Sequence, residues 1–179
     1  MAVSPRFSEA VANDVEAMFD DDTIGLGARC TNVNTRTADK YTLPTKWTSD
    51  FTQQTTSHLR PPFFETYTSG IRADEVITVG TNEFEIDCIV KCWLPDRETR
   101  ANWTAGAKLY RRLEWAIMEL MIERRSWDGR TLNAAARILN VLNIRVEPMI
   151  RWDTRSNQMG GVGAQVSFTV TIAEEDVYL

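Results

Sequence analysis

Histidine is almost missing from this chain: His58 is the only one in 179 residues. A general base is most often histidine. His58 stands in a threonine-rich stretch beside Leu59, Arg60 and two prolines, with no carboxylate near it in sequence to orient it. A catalytic role is therefore not expected of it. Cysteine is also scarce. Cys30, Cys88 and Cys92 are an odd, sparse set, which excludes a disulfide framework. Cys88 and Cys92 lie four residues apart in an alternating strand pattern, about 13 Å along the strand. Zinc-bound sulfurs each sit about 2.3 Å from the metal, so one regular strand cannot bring both to one ion, and small buried core residues are expected instead. No apolar run approaches the ~18 residues of a membrane span, and the start MAVSPRFSEAV has no basic stretch leading into an apolar one. A reducing, aqueous compartment is the expectation. An excess of positive charge is missing as well: the formal net charge is −5 and the pI about 5.0. That balance argues against a chain that wraps nucleic acid by neutralising phosphates, while leaving room for a local basic patch.

The familiar catalytic signatures are absent too. There is no Gly-x-Ser-x-Gly and no His-Glu-x-x-His. Gly160-Gly161-Val162-Gly163 looks superficially like a phosphate loop, but phosphate loops lead from a strand into a helix. Here a strand pattern follows, so a hairpin tip is expected. Glu85 and Asp87 on one strand face are explained by exposed alternation. Asp20-Asp21-Asp22 raises the question of a cation site, but a run of carboxylates ending a helix is ordinarily solvated. No metal and no cofactor are expected.

What is present is an ordinary globular composition, 43% hydrophobic and 25% charged, with six tryptophans. Large aromatics serve both cores and contact surfaces. The length fits one domain able to bury a core without staples. Ser4-Pro5 is a helix start, and Phe7, Val11, Val15 and Met18 recur at helical spacing over about residues 5–19. Residues 25–60 are rich in Thr, Asn and Gln, with weak periodicity. They read either as a long arm ordered by packing on a partner or as a segment folded over its own domain with a short hairpin; loop length does not separate the two. On the arm reading, deleting the segment damages assembly more than folding.

Beyond Pro61-Pro62 the pattern is regular. Phe63–Ile71 reads as a strand. Phe84, Ile86, Cys88, Val90, Cys92 and Leu94 alternate with Glu83, Glu85, Asp87 and Lys91, the signature of a half-buried strand. Residues 98 to about 125 read as a long helix with Trp103, Ala107, Tyr110, Leu113, Ile117, Leu120 and Met121 along one stripe. Leu132–Leu139 reads as a short helical segment. Two strands follow, one with Ile144, Val146, Pro148, Ile150 and Trp152 on one side, the other with Val162, Ala164, Val166, Phe168, Val170 and Ile172. Pro148 cannot donate to a ladder, which places it at an edge or a bulge. The expected fold class is α+β: two layers, a mainly antiparallel sheet of about four strands, one long and one shorter helix on one face, and a long polar arm.

The order of elements, and the stretches EFEIDCIVKCWLPD, ETRANWTAGAKLYRRLEWAIMELM, IRVEPMIRWDT and VGAQVSFTVTIAEED, resemble the tail-terminator and tail-completion proteins of tailed bacteriophages and the neighbouring neck proteins of the head–tail junction. The resemblance covers about residues 61–176 and the first helix. It implies a virion subunit, not an enzyme, that forms a ring with copies of itself, usually a hexamer. The ring ends tail-tube growth and docks the tail to the head, so its partners are tail tube and head connector proteins. Genomic DNA passes through without specific binding. A neck, connector or other tail subunit is the near alternative. A small enzyme or ligand-binding domain with a pocket between helix and sheet is the alternative of another class. Candidate contact residues are Trp47, Phe51 and Arg60 in the arm, Glu83, Glu85 and Arg151 on polar strand positions, and Met159 at the hairpin tip.

Overall fold

The computed structural model describes residues 6–37, 39–49, 62–73, 81–94, 103–123, 131–133, 136–153 and 158–175. The elements in chain order are α1 (Arg6–Asp20), α2 (Leu26–Arg36), β1 (Thr48–Ser49), β2 (Phe63–Ala73), β3 (Thr81–Trp93), α3 (Trp103–Glu123), β4 (Thr131–Asn133), β5 (Ala136–Asp153) and β6 (Gln158–Glu175). The strands form one sheet in the order β1-β2-β3-β6-β5-β4. Every pairing is antiparallel except the short parallel one between β1 and β2. The fold is α+β, with a sheet larger than the sequence pattern indicates.

The centre of the sheet is built as its alternation dictates. Phe84, Ile86, Cys88, Val90, Cys92 and Leu94 are buried, as are Val162, Ala164, Val166, Phe168, Val170 and Ile172 on the neighbouring strand. The register sets Ile86 opposite Val170, Cys88 opposite Phe168 and Val90 opposite Val166, so two apolar columns merge into one face. Gly163 is needed where β6 passes β3: a Cβ there would stand 2.3 Å from the Cys92 carbonyl oxygen. Helices cover that face. α1 places Val11, Val15, Met18 and Phe19 in the core, with the Phe19 ring 5.7 Å from that of Phe64. α3 places Leu109, Leu113, Ala116, Ile117, Leu120 and Met121 there, against β5 and β6.

Two expectations are corrected. Residues 25–60 are not a long loop or arm throughout. α2 runs from Leu26 to Arg36, with Leu26, Cys30 and Val33 buried, and it packs on α3 and α1. Its weak apolar signal is one residue per turn, too narrow to stand out among Thr and Asn. Tertiary contacts then supply what a short helix lacks alone. The return path is tied to it: Asn34 Nδ2 donates to the Leu43 oxygen at 2.9 Å, and Leu43 N donates to Asn34 Oδ1 at 2.7 Å. Thr45 O lies so near Gly27 that a Cβ would stand 2.3 Å from it. Deleting the segment would therefore strip the core, not only an assembly arm. The described residues of Leu132–Leu139 are not helical either: they belong to β4 and the start of β5. Ala135, Ala136 and neighbours favour a helix locally, but pairing of Ile138 with Ile172 extends the ladder and overrides that preference.

β5 bends through three register shifts, at Ile138/Asn140, Leu142/Arg145 and Arg151/Trp152, and Asn143 takes φ 55° within the second. Pro148 sits in the regular stretch between shifts, opposite Ala164. Among the described residues β4 pairs β5 only at Ala136 and Arg137, so Pro148 lies on an edge and not at a bulge. Phe64→Ala should cost about 3–5 kcal/mol, because the ring is fully buried against Phe19. Urea unfolding followed by tryptophan fluorescence measures this, and a loss under about 1 kcal/mol would show that the α1–β2 contact is not part of the core.

Candidate functional site

α3 carries more apolar surface than the sheet can cover. Its buried stripe is Leu109, Leu113, Ala116, Ile117, Leu120 and Met121, yet Trp115 is 41% exposed and Ile122 61% exposed on the opposite side. Seven residues apart, these two share one helix face. Arg111 and Lys108 lie on the same side, exposed, one and two turns before Trp115.

α2 and the loop after it bring more cations to this face. Arg36 stacks over the Trp115 ring at 5.5 Å and pairs with Glu119. Arg112 donates to the Tyr41 carbonyl oxygen and pairs with Asp39 at 2.8 Å. Lys108 stands 3.9 Å from the same carboxylate and 4.9 Å from the Tyr41 ring centre. Lys40 approaches that ring at 5.5 Å. The Tyr41 backbone N–H, donating at 2.9 Å, and the Arg112 guanidinium hold the Asp39 carboxyl below its ordinary value. Further along the seam, the guanidinium of Arg29 grips both oxygens of Glu123 and donates from Nε to the Ile24 oxygen at 3.3 Å. The seam thus anchors the basic groups to α3.

A recess of about 300 Å³ opens at the turn between α1 and α2, lined by Phe19, Asp20, Asp21, Asp22, Gly27, Ala28, Thr45, Lys46 and Trp47. Asp21 is spent on the turn itself: Oδ1 accepts from Thr23 N at 2.8 Å, Thr23 Oγ1 at 2.7 Å and Ile24 N at 3.0 Å. Asp20 and Asp22 stay exposed at the rim. The recess lies at a turn of the helix layer, not between helix and sheet. Among the described residues no group of His, Cys, Asp and Glu is placed to hold a metal ion, and no helix is long and apolar enough to cross a membrane.

The expected contact residues are dispersed. Trp47 is only 9% exposed; it joins the core and its Nε1 donates to the Pro44 oxygen at 3.0 Å, so it is a packing residue and no free contact. Phe51 and Arg60 lie outside the described residues, as does His58. Glu83 and Glu85 stand on β3, opposite Ala173 and Thr171, with Glu85 half-buried. Arg151 pairs in register with Gly161 on the β5–β6 ladder. Met159 is likewise in strand, opposite Trp152, because β6 already begins at Gln158. The sequence reading missed Arg36, Tyr41, Lys108, Trp115 and Ile122. A signal for the last two was there: Trp115 and Ile122 fall off the stripe set by Leu113, Ile117 and Leu120.

No protein-family model matches this chain, and no curated protein matches it.

The outer face of the sheet is polar but tightly knit. Glu65 is buried and accepts from the Tyr67 hydroxyl at 2.7 Å. Lys91, opposite Glu65 in register, stands 5.0 Å from the Tyr67 ring centre. Thr169 Oγ1 donates to Asp87 at 2.9 Å. At one end, Phe63, Trp93, Gly163 and Met149 follow one another across four strands. The three thiols face inward: burial pushes Cys30 and Cys88 up to about 12, and Cys92 well above 9.0. They are core groups and stay protonated. In the unfolded chain thiols ionise near 9.0, so folding holds protons that the unfolded state releases, and stability falls as pH rises between about 9 and about 12. Urea unfolding at pH 8 and pH 10 should show that decline, and replacing all three cysteines by alanine should reduce it; an equal decline in both chains would place the cause elsewhere.

Proposed function

We propose that this chain is a structural subunit of the head–tail junction of a tailed bacteriophage, assembling as a ring that ends tail-tube growth and docks the tail to the head. The observation that carries the reading is the α3 face with exposed Trp115 and Ile122, Arg36 stacked on the tryptophan and Arg111 beside it. Tryptophan and arginine are the residues most enriched at the energetic centres of protein contacts, and exposed apolar surface of this kind marks interaction sites. The reading also draws on the resemblance of the sequence stretches to head–tail junction proteins. A neck or connector role uses the same surfaces and is the near alternative.

The contact is made by side chains. Strand addition at β5 is hindered by Pro148, by the register shift at Leu142/Arg145 and by the Arg145–Glu147 ion pair at 2.7 Å, all devices that blunt an open edge. Partners are copies of the chain, the tail tube and head connector proteins; DNA passes through without specific contacts. Light scattering on the full chain at high micromolar concentration should give an oligomer of about six copies. Trp115→Ala should weaken it while circular dichroism shows the same secondary structure as the parent. A monomer at all concentrations, with the tail tube present or absent, refutes the ring.

A further inference from the structure

Charge is divided unevenly across the helix layer. On α1, Glu9, Asn13, Glu16 and Asp20 recur at helical spacing on the side away from the buried Val11, Val15 and Met18, and Asp22 extends them around the turn. Among the described residues the cation lining this corner is Lys46. On the far side of α2, which touches both α1 and α3, five cations gather: Arg36, Lys40, Lys108, Arg111 and Arg112. The carboxylates facing them are Asp39 from the loop and Glu114 and Glu119 from α3. A basic surface thus stands on a chain whose net charge is −5, with an acidic one on the opposite flank.

We propose that successive copies of this chain dock head to tail, the basic flank around Trp115 of one copy against the acidic corner formed by Glu16, Asp20 and Asp22 of the next. The ring geometry rests on the reading above; the pairing of these two surfaces is additional to it. Three observations select a second copy as the occupant. Opposite charges are presented by the same molecule on different flanks, which makes the contact heterologous and able to propagate. The acidic corner is concave, a recess of about 300 Å³ with Phe19 and Trp47 in its wall, and the basic flank carries a half-exposed tryptophan. Ile122, at 61% exposure on the same helix face two turns beyond Trp115, gains from a protein surface and nothing from a phosphate backbone.

The test uses two charge reversals of the full chain, Arg111→Glu on the basic flank and Asp22→Lys on the acidic one, both at exposed positions. Sedimentation velocity over a concentration series is expected to show self-association weakened about tenfold or more in each variant alone. An equimolar mixture is expected to recover it, because the glutamate introduced on one chain then meets the lysine introduced on the other while the remaining flanks stay native. Association of the parent chain should also weaken between about 0.05 M and 0.5 M salt. Circular dichroism and thermal unfolding of the variants should match the parent. An oligomer indifferent to both reversals overturns this interface and leaves the ring standing; a parent chain that is monomeric throughout overturns both. Duplex DNA binding that is lost in Arg111→Glu, with self-association intact, overturns the interface and assigns the patch to phosphate.

Discussion

The apolar face shared by β3 and β6 is the constraint on which the rest depends. Twelve alternating positions, Phe84 to Leu94 and Val162 to Ile172, are buried on one side of the sheet. Such a face is unstable in water and needs a second layer. α1 and α3 supply most of it, one over β2 and the other over β5 and β6. α2 completes the cover, and its attachment to α3 combines three buried side chains with the grip of Arg29 on Glu123. Because Glu123 remains half open to solvent, that ion pair contributes modestly, and the apolar contacts carry the larger share.

Covering the sheet in this way decides what the outside looks like. α3 is long enough to bury one full stripe and still present Trp115 and Ile122 outward. The loop following α2 delivers Asp39, Lys40 and Tyr41 to the same face, where Asp39 organises Lys108 and Arg112 around the tyrosine. The aspartate run after α1 divides its work: Asp21 builds the turn, while Asp20 and Asp22 stay at the rim of the recess. Asymmetry between the two flanks follows from the fold alone.

β5 is an open edge at Pro148, yet proline, a register shift and an ion pair make it a poor template for a further strand. The polar side of the sheet is occupied by its own contacts, with Glu65, Tyr67 and Lys91 together and Thr169 bonded to Asp87. Among the described residues the exposed large apolar side chains are Trp115 and Ile122 on α3 and Ile150 on β5.

The sequence by itself determined the strands of the sheet core, the faces of α1 and α3 and the inertness of the cysteines, because a period of two or of 3.6 is a local property of the chain. It also determined that Pro148 leaves a ladder position without a donor. Tertiary structure decided the rest. α2 exists because Leu26, Cys30 and Val33 find a core that lies far along the chain, and the helical tendency of residues 132–139 loses to pairing with β6. Trp47 reads as an arm residue until its burial is known. The basic flank joins Arg36, Lys40 and Tyr41 to Lys108, Arg112 and Trp115, groups far apart in the chain that only packing of α2 on α3 brings together.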